Sequence, residues 1–79
     1  MSYHDYYKKL SDLLRLIEIE DTGDANALAE KLHVSRRTLF RYLEELRDHG
    51  AVITFSKQRN TYMLHNDFCF FEHFIKKVL

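Results

Sequence analysis

Arg36, Arg37 and Arg41 are the side chains whose type and spacing point most directly to chemistry. On a helix they share a side with Phe40 and Glu44, turned away from Leu39 and Leu43. The planar fork of arginine pairs with phosphate oxygens, or with O6 and N7 of guanine. A helix starting at Ser35 would also aim its first N–H groups at an anion. Cations this crowded repel one another unless an anion lies close, which points to an anionic partner. The competing reading is a solvated basic face, or an ion pair from Arg41 to Glu44 or Glu45. Phe40 is out of place on a free surface. It could touch a thymine methyl, but packing beneath a following hairpin is the reading favoured here.

Other reactive groups lead nowhere comparable. His65, Cys69 and His73 are spaced four apart, so a helix would stack them on one face. Consecutive members could chelate zinc, yet no fourth ligand is evident, and surface histidines with a buried thiol are the favoured reading. Cys69 as a nucleophile would need an adjacent base in a cleft. Glycine occurs only at Gly23 and Gly50, so nothing resembles a glycine-rich phosphate cradle. There is no paired-carboxylate arrangement either. The expectation is no enzyme, no catalytic residue, no metal, no cofactor and no small-molecule ligand.

The elements that would position the arginines can be taken in order. Ser2 followed by Asp5 signals a helix start. Tyr6, Leu10, Leu13, Leu14 and Ile17 then recur at helical spacing, which predicts a first helix over about 3–20. Tyr3, Tyr6 and Tyr7 pack on the core or on another subunit. Asp21-Thr22-Gly23 ends that helix, with Gly23 taking the left-handed conformation. Asp24 caps a second helix whose buried side is Leu28, Ala29 and Leu32. His33-Val34 makes a corner, and Ser35 caps a third helix with a buried stripe of Leu39, Leu43 and Leu46. Gly50 stops it. Residues 51–55 and 61–64 read as paired strands around the polar turn 56–60, which carries Lys57 and Arg59.

Seventy-nine residues with 46% hydrophobic side chains make one small packed domain, with little room for a separate sensor. The net charge is 0, but the charge is segregated. Residues 1–31 hold four basic against seven acidic side chains, and residues 32–59 six basic against three acidic. A neutral chain with one basic segment can still present a basic face to a polyanion. The lone cysteine rules out an intramolecular disulfide. The N-terminal MSYHDYYKKL lacks an apolar signal region, and no stretch approaches a membrane span. Cytoplasmic location is therefore expected.

Residues 66–79, NDFCFFEHFIKKVL, form a hydrophobic segment. A helix would align Phe68, Phe71, Phe74 or Ile75, and Val78. A strand would align Phe68, Phe70 and Phe74. The longer periodicity favours a helix. Phe68, Phe70, Phe71 and Phe74 are hard to cover within so small a domain, so the segment is expected to form a homodimer.

Residues 13–64 resemble the DeoR-type winged helix-turn-helix of bacterial transcription regulators. The match lies in LAEKLHVSRRTLFRYLEEL, against Leu-Ala-x-x-Leu-x-Val-Ser-x-x-Thr-Ile/Leu-x-Arg-x-Leu. The resemblance implies a mostly α, α+β winged-helix fold over 1–65. Recognition helix 35–48 would enter the major groove of double-stranded DNA, and wing 51–65 would lie on the backbone. It places Ser35, Arg36, Arg37, Thr38, Phe40 and Arg41 near DNA, with Lys57 and Arg59 as wing contacts. His33 departs from the glycine usual at that corner. Relatives often carry an effector domain after the wing, and none is expected within these 79 residues. The expected function is sequence-specific transcription regulation, with nucleoid association when DNA is bound. The alternative is a winged-helix adaptor for protein contact. Glu44, Glu45 and Asp48 turn the third helix acidic, so only its N-terminal half is expected to meet DNA.

Overall fold

The computed structural model describes residues 3–68. Three helices are followed by one antiparallel hairpin: α1 (Tyr3–Glu18), α2 (Ala25–Lys31), α3 (Arg36–Asp48), β1 (Ile53–Ser56) and β2 (Thr61–Leu64). The strands pair Ile53 with Leu64 and Ser56 with Thr61 at the two ends of the register. The tail from Cys69 onward lies outside the described residues, and with it the choice between helix and strand. Phe68 is half-buried against this chain's own core.

The core follows from helical spacing. Leu10, Leu13, Leu14 and Ile17 of α1 meet Leu28, Ala29 and Leu32 around α2, and Leu39, Tyr42, Leu43 and Leu46 of α3. Ala51, Ile53 and Tyr62 close it from the hairpin side. Tyr42 is buried alongside the leucines of that stripe. Tyr6 meets the Tyr42 ring edge-on at 5.7 Å and tilts against Tyr7 at 5.2 Å, so these two tyrosines of α1 serve the chain's own packing. The Tyr6 hydroxyl donates to the Glu45 carboxylate. Burial first, and that bond second, push its pKa well above the usual tyrosine value.

All three helices end in the same way. The N–H two residues past the helix cap reaches back to a carbonyl of the last turn: Asp21 to Leu16, Val34 to Ala29, Ala51 to Leu46. The intervening residue is left-handed each time: Glu20 at φ 56°, His33 at 57° and Gly50 at 111°. This is the Schellman arrangement, which satisfies carbonyls left without helical partners. His33 therefore sits as the corner requires, although it is not glycine.

The end of α1 corrects the sequence expectation. The helix stops at Glu18, and Glu20 rather than Gly23 supplies its left-handed residue. Gly23 is left-handed too, at φ 70°, but it serves the start of α2. A Cβ there would stand 2.9 Å from the Cβ of Ala27. Only glycine gives both that backbone angle and that clearance.

Candidate nucleic-acid interface

Ser35 starts α3 as its residue type predicts. Its side chain accepts the Thr38 N–H at 3.1 Å and donates to the Thr38 hydroxyl at 3.0 Å. Thr38 keeps its own hydroxyl proton for a further acceptor. Asp24 caps α2 in the same manner, through the Ala27 N–H at 2.9 Å. The α2–α3 corner is tightened from α1, where Lys9 donates to the Leu32 carbonyl at 2.8 Å.

Burial of Leu39, Tyr42, Leu43 and Leu46 fixes the roll of α3 and leaves the opposite side to solvent. Arg36, Arg37, Phe40 and Arg41 are exposed there. Among the described residues, no carboxylate lies within ion-pair distance of Arg36, Arg37 or Arg41. The expected alternative of pairing Arg41 with Glu44 or Glu45 is not realised: Glu44 pairs with Arg47 at 3.6 Å, and Glu45 accepts from Tyr6. Arg37, Phe40, Arg41, Glu44, Glu45 and Asp48 line one open groove along the helix. Its N-terminal half is basic and its C-terminal half acidic.

Phe40 corrects the favoured packing reading. It remains 41% exposed. Its ring carries the Arg36 guanidinium 5.8 Å from the centroid, a cation–π pair one helical turn apart. The aromatic that packs from the hairpin into the core is Tyr62, with the exposed Phe55 edge-on to it at 4.9 Å.

The hairpin is anchored by polar groups that the sequence reading passed over. Thr22, in the α1–α2 loop, is fully buried and accepts the Tyr62 N–H at 2.8 Å. The hydroxyls of Thr22 and Thr61 stand 3.1 Å apart, and the Thr22 N–H donates to Thr61 Oγ1 at 3.3 Å. On the other side, Arg47 donates to the Ile53 carbonyl through Nη2 at 3.1 Å. Asn66 holds the α3–β1 link, taking the Val52 N–H at 3.1 Å and donating to the Gly50 carbonyl at 2.9 Å. Burial raises the pKa of Tyr62, and the nearby Arg47 and Arg36 guanidiniums oppose the rise.

The two turn cations separate. Lys57 is exposed, with no carboxylate in ion-pair distance among the described residues. Arg59 is engaged: its Nη1 lies 2.8 Å from Glu20 Oε1. The angle is outside hydrogen-bond geometry, so the contact is charge against charge. Glu20 was not singled out in the sequence, and 39 residues separate it from Arg59 without a local signal.

Among the described residues, no group of three histidine, cysteine or acidic side chains is placed to hold a metal. His65 lies against Thr54, its Nε2 2.6 Å from the hydroxyl. Cys69 and His73, proposed beside it as weak ligand candidates, lie outside the described residues, as do Phe70, Phe71 and Phe74. No helix among the described residues is long and apolar enough to cross a membrane.

Three helices, a tight capped corner and a two-stranded hairpin define a mostly helical protein of helix-turn-helix type, in an arrangement consistent with the winged form. The chain belongs to the HTH domain family, whose profile it matches over residues 9–63. Helix-turn-helix domains are a DNA-binding class. The match identifies the helix-turn-helix and does not distinguish the DeoR type. Neither a curated protein nor a solved structure matches the chain.

Proposed function

We propose that this chain is a sequence-specific transcriptional regulator that binds double-stranded DNA, with α3 in the major groove and the hairpin as a wing on the backbone. One observation carries the reading. Most described cations away from that face are engaged, Arg15 and Lys57 excepted: Arg47 on the Ile53 carbonyl, Lys31 on the Asp21 carbonyl, Lys9 on the Leu32 carbonyl, Lys8 on Asp12 and Arg59 on Glu20. The three arginines on the outer face of α3 have no acidic partner among the described residues. A face kept merely soluble has no need of this division. A face awaiting phosphates and base edges does.

In this reading Ser35, Thr38 and the free N–H groups of α3 position the helix on phosphate. Arg36, Arg37 and Arg41 supply charge and base contact, Phe40 accompanies them, and Lys57 meets the backbone from the wing. Arg59 contributes less than its position implies, because Glu20 already neutralises it. A homodimer through the 66–79 segment, with Phe68, Phe70, Phe71 and Phe74, would set two α3 helices on a palindromic site, half-sites about 10 bp or a multiple apart. That part of the proposal rests on the sequence. A monomer by sedimentation at micromolar concentration and above would reject it.

The test is binding of labelled mixed genomic duplex across salt, read by anisotropy. Arg36, Arg37, Arg41 and Lys57 together should release about four counterions per chain, a slope of log K on log salt of roughly −3 to −4. Arg36→Ala with Arg37→Ala should remove about two units of it. Binding with unchanged affinity and slope in that double variant would show that α3 is not the reading helix.

A further inference from the structure

We infer that Phe40 reads the 5-methyl group of a thymine in the major groove, so that it selects a base rather than merely filling space. The inference rests on the DNA-binding reading above and assigns a chemical target within it.

The phenyl ring is 41% exposed and is the one apolar side chain lining the groove along α3. Arg37 and Arg41 flank it in that groove. The Arg36 guanidinium stands 5.8 Å from the ring centroid, so the ring has a fixed neighbour one turn back and open groove beside it. A pose that lays the N-terminal half of α3 in the major groove and brings these arginines to base edges carries Phe40 in with them. Once there, the ring can neither donate nor accept a conventional hydrogen bond. Base edges in the major groove present acceptors, amino donors and one apolar group, the thymine methyl. Set against an amino group or a carbonyl, the ring would strip water from a polar atom and return nothing. Against the methyl it buries apolar surface on both sides.

Arg36 sharpens the choice. Its contact with the ring biases the guanidinium toward Phe40, so the two side chains enter the groove side by side. The thymine and the group that Arg36 contacts must then be neighbours on the DNA. The methyl is what separates thymine from uracil, and 5-methylcytosine carries the same group.

The experiment starts from duplexes enriched from a random pool by the wild-type protein. Each thymine of the enriched site is replaced singly by deoxyuridine, and binding is read by anisotropy. At one thymine per half-site the replacement should weaken wild-type binding roughly fourfold, the value of burying about one methyl-sized apolar group. Phe40→Ala should bind the thymine and deoxyuridine duplexes alike at that position, while keeping its sensitivity elsewhere. Phe40 is outside the buried core, so circular dichroism of the variant should match wild type. Tight binding that ignores deoxyuridine at every position overturns the inference and leaves the DNA reading standing. So does a Phe40→Ala protein that keeps the full thymine preference. A pool that enriches nothing, with no salt-sensitive binding, overturns both.

Discussion

Replacing Thr22 by valine tests whether the hairpin is held by the buried threonine pair. Valine keeps the shape of the side chain and removes only the hydroxyl. That hydroxyl accepts the Tyr62 N–H at 2.8 Å and donates to the Gly23 carbonyl at 2.8 Å, in a side chain with no exposed surface. The substitution strands a buried N–H, at about 1–3 kcal/mol, and forfeits a second bond worth about 1 kcal/mol net. The expected loss is therefore about 2–4 kcal/mol. A chain of this size has only about 4–12 kcal/mol in total, at the usual per-residue stability. The melting temperature should fall by about 10 °C or more. Thr22→Ser provides the control, because it keeps the hydroxyl and loses one buried methyl, at about 1 kcal/mol. Urea unfolding followed by circular dichroism measures both. Valine within 1 kcal/mol of wild type, or serine costing more than valine, would refute the role given to the hydroxyl.

Further consequences can be checked with the same unfolding assay. Ser35→Ala removes the acceptor for the Thr38 N–H and should cost about 1 kcal/mol. His33→Gly relieves a left-handed side chain at φ 57° and should gain about 0.5–1 kcal/mol; a loss would mean that the imidazole makes a compensating contact. Tyr6 has a raised pKa, so its proton is held more tightly in the folded state than in the unfolded one. Its contribution is complete below the unfolded value of about 10 and is lost as the pH rises toward the folded value. The stability gap between wild type and Tyr6→Phe should therefore narrow above pH 10, and a gap constant with pH would rule this out.

What could be read in advance was what the chain settles locally. The leucine stripes, the Asp24 and Ser35 caps and the left-handed stop at Gly50 are each decided within one or two helical turns. The hairpin followed from two apolar runs around a polar turn, and the arginine face from spacing alone. The failures involve partners far apart in the chain. Thr22 and Thr61 are 39 residues distant, and neither is unusual in its own neighbourhood. Glu20 and Arg59 are equally remote, so a wing cation that looked free in sequence is paired in the fold. Phe40 was misjudged for a related reason. Its size predicted burial, but the roll of α3 set by Leu39, Tyr42, Leu43 and Leu46 turns it to the opposite, solvent side, and Tyr62 closes the core from the hairpin.

The division between engaged and unengaged cations bears on what a neutral chain can do. A solvated basic face and a nucleic-acid face have the same composition, so counting charges cannot separate them. Placement can. Acidic side chains at the far end of α3 are themselves engaged, Glu45 with Tyr6 and Glu44 with Arg47, and the Ile53 carbonyl holds Arg47 at the hairpin. Attraction that would otherwise draw Arg41 back along its own helix is thereby spent on packing. Mutual repulsion among Arg36, Arg37 and Arg41 stays uncompensated in the free protein and is relieved when phosphates arrive. Asp12, Glu20, Asp21, Asp24, Glu44 and Glu45 thus sit where they hold partners within the fold, and the absence of acids from the first turn of α3 leaves that turn positive.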